Sequence, residues 1–139
     1  MKITALLLGA VSLLVGCSTV PISNHQAEDV PSAQILNKDF LQKKDNLSTV
    51  VIKRDAGMKG SICTTRIYID GKPAADLRTA QKVTVYLPAG EHIFSSQTVG
   101  ACAGGVMSEY AGLVAEGKTL TFRIGSGPLG DFEIYPTAF

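Results

Sequence analysis

The chain of 139 residues has no tryptophan, only two histidines and three cysteines, and aromatic residues make up just 6% of it. Each shortage closes off a class of function. With no tryptophan and few other rings, there is no stacking platform for sugars or bases. His25 and His92 supply a metal site or a catalytic triad poorly, and no C-x-x-C spacing marks a zinc site. His92 follows Glu91 at a turn exit and reads as an exposed edge residue rather than a ligand or a general base. Charge of neither sign dominates, since 13 Lys plus Arg stand against 12 Asp plus Glu. A nucleic-acid binder gathers a basic excess on one face. Here the basic runs are Lys43-Lys44 and Lys53-Arg54, which read as solvated surface. Glycine is plentiful, at 14 residues. Yet Gly100-Ala101-Cys102-Ala103-Gly104-Gly105 and the cluster from Gly125 to Gly130 lack the Lys and Ser or Thr that follow the glycines of a phosphate loop. Ser61 and Ser126 are wrongly spaced for a G-x-S-x-G elbow. These residues predict neither a catalytic set nor a metal or cofactor.

The longest apolar run stands at the beginning. Lys2 precedes thirteen mostly apolar residues, Ile3 to Val15, and the run ends in Leu14-Val15-Gly16-Cys17. As a helix it would rise only about 20 Å, short of a hydrocarbon core of about 30 Å, which argues against a retained span. A positive start, an apolar stretch and small residues at the cut describe a signal peptide over residues 1–16. The tetrad resembles the lipobox of bacterial lipoprotein precursors. That resemblance implies cleavage between Gly16 and Cys17, thioether attachment of diacylglycerol to Cys17, and acylation of the new amino group, with palmitate as the expected chain. A plain secretory signal is the rival, but Val15-Gly16 before a cysteine fits it less well than an A-x-A-like site would. Each buried methylene contributes about 0.8 kcal/mol, so two or three chains on one cysteine hold stably. Ser18, where inner-membrane lipoproteins carry Asp, favours the outer membrane and its periplasmic side.

Removal of residues 1–16 leaves 123 residues, enough for one domain. Cys63 and Cys102 are then an even pair in an oxidising compartment, which predicts a disulfide; two buried free thiols are the alternative. A closed loop of about 40 residues would stabilise the fold by roughly 4 kcal/mol. Residues 18 to 30 hold few aliphatics and read as a tether, reaching roughly 20 Å. The lipidated Cys17, this tether and a short helix or turn within residues 31 to 45 make up a segment over residues 17–47.

From residue 48 to 139 the texture is that of strands. Thr49 to Arg54 is followed by Ile62 to Asp70, whose Cys63, Thr65, Ile67 and Ile69 share one face opposite Arg66 and Tyr68. Asp70-Gly71 signals a type I′ hairpin into Ala74 to Leu77. Lys82 to Leu87, with Val83, Val85 and Leu87 on one side, turns through Pro88-Ala89-Gly90 into Glu91 to Thr98, and these two are expected to pair antiparallel. Val106 to Ala115 fits strand or helix equally, whereas Thr119 to Ile124 points Leu120, Phe122 and Ile124 inward. A last strand covers Phe132 to Tyr135. Six or seven such strands predict an all-β fold, a single antiparallel β-sandwich.

The segment from Lys53-Arg54-Asp55-Ala56-Gly57 through Gly60-Ser61-Ile62-Cys63, then Tyr68-Ile69-Asp70-Gly71-Lys72, Val85-Tyr86-Leu87-Pro88-Ala89-Gly90-Glu91-His92 and the Cys102 loop, resembles small bacterial lipoproteins of unknown function. The likeness covers about residues 49 to 125 and is to DUF2846-type domains, with similarity to PEGA-like β modules. It implies an exported, lipid-anchored β domain and carries no catalytic residue onto this chain. The expected role is a non-enzymatic binding or structural module held to the membrane by its lipid, with an envelope protein as partner and no nucleic acid. A second reading is an immunity or inhibitor lipoprotein that probes an effector with the loop around Cys102. A third, a small-ligand binder or hydrolase, would rest on His92 or Arg66.

Overall fold

The computed structural model describes residues 18–127 and 130–139. The expected signal segment, its Gly16/Cys17 cut and the lipid site at Cys17 therefore lie outside the described residues. Nine strands are present among the described residues rather than six or seven: β1 (Glu28–Asp29), β2 (Leu47–Arg54), β3 (Thr64–Ile69), β4 (Lys72–Leu77), β5 (Gln81–Pro88), β6 (Gly90–Val99), β7 (Ser108–Val114), β8 (Leu120–Ser126) and β9 (Phe132–Pro136). They form the expected sandwich. One sheet runs in the order β1-β5-β2-β8-β9 and the other β4-β3-β6-β7. Neighbours are antiparallel except that β1 runs parallel to β5 and β2 parallel to β8.

The period-2 pattern explains the core. Ile67 and Ile69 on β3, Val83, Val85 and Leu87 on β5, and Phe122 and Ile124 on β8 are buried, as their alternation predicts, and meet Val50, Ile52, Phe94 and Ile134. Leu120, at the start of β8, is only partly buried. Burial of each large side chain contributes about 1.5–3 kcal/mol. Phe94 and Phe122 stack across the two sheets with ring centroids 4.4 Å apart. Gly112 on β7 makes room for them, since a Cβ there would stand 2.7 Å from the Phe122 ring and 3.0 Å from that of Phe94.

Asp70-Gly71 forms the predicted turn, with φ of 49° and 76°. Pro88-Ala89-Gly90 does not form the predicted hairpin. β5 is flanked by β1 and β2, and β6 by β3 and β7, so each strand has neighbours on both sides in different sheets. The chain instead crosses from one sheet to the other, and Gly90 at φ 139° permits the corner. Val106 to Ala115, ambiguous in sequence, resolves as β7.

The largest correction concerns residues 18 to 47. They are not a tether. Val20 and Ala56 exchange main-chain hydrogen bonds of 2.8 and 2.9 Å, the Glu28 and Val30 amides donate to the Ala80 and Lys82 carbonyls at 2.9 Å each, and those of Leu36 and Asn37 donate to Ala74. Ile22 and Ala27 are buried. The segment thus runs from the end of β2 to the edge of β5, and on to the edge of β4, closing one open side of the sandwich. Residues 18 to 47 belong to the folded unit, which was expected to span only residues 48 to 139. The short helix or turn expected within residues 31 to 45 is two single 3-10 turns, Ser32–Gln34 and Lys38–Leu41. Extended Ile35, bridged to Ala75, interrupts any longer helix.

Candidate functional site at the disulfide end

Strand directions bring five stretches to one end of the sandwich: Ser18 to Val20, the loop after β2, the short link between β4 and β5, the loop between β6 and β7, and the loop between β8 and β9. Cys63 and Cys102 form a disulfide there, with their Cα atoms 5.2 Å apart. Thr64 pairs with Val99, so the bridge lies just beyond the last register pair of β3 and β6. It joins neighbouring strands of one sheet and pins the loop that follows β6. The 3-10 turn Gly100–Cys102 carries the second cysteine back toward the first.

Arg54 organises the other side of this end. The sequence pattern reads Lys53-Arg54 as solvated, but both residues are fully buried, and Asp55 beside them is 1% exposed. Alternation is the cause: Val50, Ile52 and Arg54 share the inward face of β2. The Arg54 guanidinium donates to the carbonyls of Gly60 at 2.6 Å, Leu77 at 3.3 Å, and Cys63, and lies 4.7 Å from the Phe132 ring centroid. Burial lowers its pKa. No carboxylate pairs with it among the described residues, so main-chain oxygens and a ring face hold a buried cation. Gly60 fits against the same ring, where a Cβ would come within 2.5 Å.

Lys53 and Asp55 point the other way and are covered by the two ends of the described chain. Arg123 donates to both oxygens of Asp55, through Nε at 3.0 Å and through Nη2. These hydrogen bonds raise the Arg123 pKa despite its burial. The Thr19 hydroxyl donates to Asp55 at 3.0 Å and accepts from the Ser126 amide at 3.0 Å. A side chain two residues after Cys17 is therefore tied to β2 and β8 together. Gly125 leaves the space for this, because a Cβ would lie 2.5 Å from Asp55 Oδ2. Lys53 Nζ donates to the Phe139 main-chain oxygen, with burial the main cause of its lowered pKa.

The remaining sequence candidates lie elsewhere. His25 is exposed. His92, expected as an exposed edge residue, is instead enclosed at the opposite end: Nδ1 lies 2.7 Å from Asp70 Oδ2 and Nε2 2.9 Å from the Pro88 carbonyl, with its side chain 11% exposed. Two acceptors on two ring nitrogens call for the imidazolium. Burial works to lower the His92 pKa, but the bonds to Asp70 and Pro88 and the Asp70 charge raise it on balance. For Asp70, burial works upward and is outweighed by His92, the Ile93 amide and Lys72, so its pKa falls. Arg66 forms a bidentate pair with Asp76 at 2.8 and 2.9 Å. Its register partner Gln97 is an odd number of residues from His92 on β6, so the two candidates of the hydrolase reading stand on opposite faces.

A cavity of about 500 Å³ lies between β5 and the turn Lys38–Leu41, lined by Val30, Ile35, Leu41 and Val83 with Lys38 and Lys82 at its polar side. Among the described residues no group of three His, Cys, Asp or Glu is placed to hold a metal ion. No protein-family model matches the chain, and no curated protein matches it. Sequence reasoning found the disulfide and missed Arg54, Asp55, Arg123 and Thr19. The available signal was the alternation of β2 itself, which puts a charged residue in an inward position.

Proposed function

We propose that the chain is a lipid-anchored cell-envelope protein, facing the periplasm from the outer membrane and serving as a non-enzymatic binding or structural module. The observation that carries this reading is the junction at residues 14 to 20. A Leu-Val-Gly-Cys tetrad is followed by one serine and then, with no linker, by Thr19 and Val20 bonded to the domain. A disulfide of sequence separation 39 supports an oxidising compartment. The resemblance of residues 49 to 125 to small bacterial lipoproteins points the same way. The residues on which the small-ligand or hydrolase reading would rest, His92 or Arg66, are each paired with a carboxylate, at separate places.

The test is the mass of the mature chain extracted from membranes. The reading expects loss of residues 1–16 and added acyl mass on Cys17, and it expects a Cys17→Ser chain to leave the membrane fraction. A mature chain with an unmodified Cys17 would overturn it. Sedimentation of the lipidated chain with inner rather than outer membranes would overturn the outer-membrane placement alone.

A further inference from the structure

The loops at the disulfide end expose apolar side chains that the fold has no use for. Met58 is 91% exposed, Ile62 80%, Val106 73% and Met107 40%. Single exposed aliphatics are ordinary on a protein surface, so what matters is that these four stand on the two loops joined by the disulfide. Met58 and Ile62 belong to the loop that closes on Cys63, with the Ser61 amide bonded to the Met58 carbonyl. Val106 lines a hollow of about 220 Å³ together with Cys63 and Cys102, and Val106 and Met107 together line a second hollow beside Phe132. The disulfide thus gathers the two loops.

The first described residue stands at the same place. The Ser18 carbonyl lies 3.4 Å from where a Cβ on Gly57 would be, and Gly57 is the neighbour of Met58. Thr19 and Val20 are fixed to Asp55, Ser126 and Ala56. Cys17 is the next residue along the chain, directly before Ser18. A lipid on that sulfur leaves no length of chain to separate the acyl layer from these loops.

We propose that the disulfide end is a membrane-contacting surface, in which Met58, Ile62, Val106 and Met107 enter the leaflet that holds the lipid of Cys17. The inference rests on the lipid-anchor reading and adds orientation to it. The occupant is a lipid surface rather than a protein because the place where the chain leaves the fold fixes which end meets the bilayer. The strands then stand away from the membrane, and the opposite end, with Asp70, His92 and Gly117, points into the periplasm. Apolar side chains at such an interface add to acyl anchoring and remove rotational freedom.

The absence of tryptophan supplies a clean reporter. Met58→Trp, Val106→Trp and, as the distal control, Leu113→Trp each alter an exposed residue. Each full-length chain is purified from membranes and reconstituted in phosphatidylethanolamine/phosphatidylglycerol vesicles with and without brominated acyl chains, and acylation of Cys17 is read from the mass of the same sample. The proposal expects blue-shifted emission and at least twofold quenching by bromolipid at positions 58 and 106, and neither at 113. An acylated chain whose reporters at 58 and 106 remain as water-exposed as that at 113 would overturn the membrane contact while leaving the anchor reading intact. Blue shift at 58 and 106 without bromolipid quenching would put a second protein copy against this end and also overturn it. An unmodified Cys17 overturns both readings together.

Discussion

At the hairpin end of the sandwich the chain reverses in two residues at Asp70-Gly71 and crosses between sheets at Pro88 to Gly90. At the disulfide end it takes the whole of residues 55–63 to pass from β2 to β3, and residues 100–107 to pass from β6 to β7. Short turns need only residues that accept their φ values. Long loops leave main-chain oxygens without strand partners, and these must be satisfied locally. At the disulfide end the Arg54 guanidinium meets this need at three carbonyls, while a covalent bridge and a carboxylate shared by Arg123 and Thr19 tie the loops to the strands. The hairpin end has a partly exposed ion pair, Asp70 with His92. Buried charge is concentrated at the end that carries these two long loops, where Thr19 and Val20 also join the fold.

The contrast is broken most strongly by opening the bridge. Reduction, or Cys63→Ala with Cys102→Ala, is expected to cost about 4 kcal/mol in the chain-entropy picture, read as a lower denaturant midpoint than that of the oxidised chain. A loss under 1 kcal/mol would show that the loops hold without it. Next is Arg54→Met, which keeps the stem but removes the guanidinium donor from the Gly60, Cys63 and Leu77 carbonyls. It is expected to destabilise by about 3 kcal/mol in urea unfolding with the disulfide intact. Thr19→Val removes one donor and one acceptor from the Asp55 site, for an expected cost of about 1–2 kcal/mol and faster amide exchange at Val20 and Ala56.

At the hairpin end the effect is smaller and depends on pH. The folded pKa of His92 lies above its ordinary 6.5, so its contribution is complete below that value and is lost as pH rises through the raised one. The folded pKa of Asp70 lies below its ordinary 3.8, so its contribution is present above 3.8 and is lost as pH falls through the lowered one. The pair therefore stabilises between these limits. His92→Asn is expected to cost about 0.5 kcal/mol near pH 5, the scale of a partly exposed pair, and nothing measurable at pH 9. Paired unfolding curves at the two pH values check it, and a constant difference would assign His92 a packing role instead.

The strands and their inward faces were legible because side-chain alternation encodes them directly, as Ile67 and Ile69 or Phe122 and Ile124 show. The Asp70-Gly71 turn was legible for the same local reason. What escaped was non-local. Residues 18 to 30 look like a linker by composition, but much of their docking is main-chain bonding to Ala56, Ala80 and Lys82, whose donors any residue except proline can supply. Lys53-Arg54-Asp55 looks like a solvated run, yet Asp55 meets its partner Arg123 at a separation of 68 residues and Lys53 meets Phe139 at 86. Composition cannot foresee a partner so distant. The sheet change after Pro88 escaped because a local turn signal does not say which sheet receives the next strand. At the candidate site the two cysteines were readable, whereas the charged network that holds Thr19 beside them was not.

The central claim is that no free linker separates Cys17 from the folded domain. Amide hydrogen exchange across residues 18 to 56 of the folded chain tests it. The account predicts that the Val20, Glu28 and Val30 amides, bonded to Ala56, Ala80 and Lys82, exchange slowly, in the same time range as the Ala56 amide on the folded side of the same bridge. Complete exchange throughout residues 18 to 30 at the first time point, with the β2 and β5 amides still protected, would contradict it.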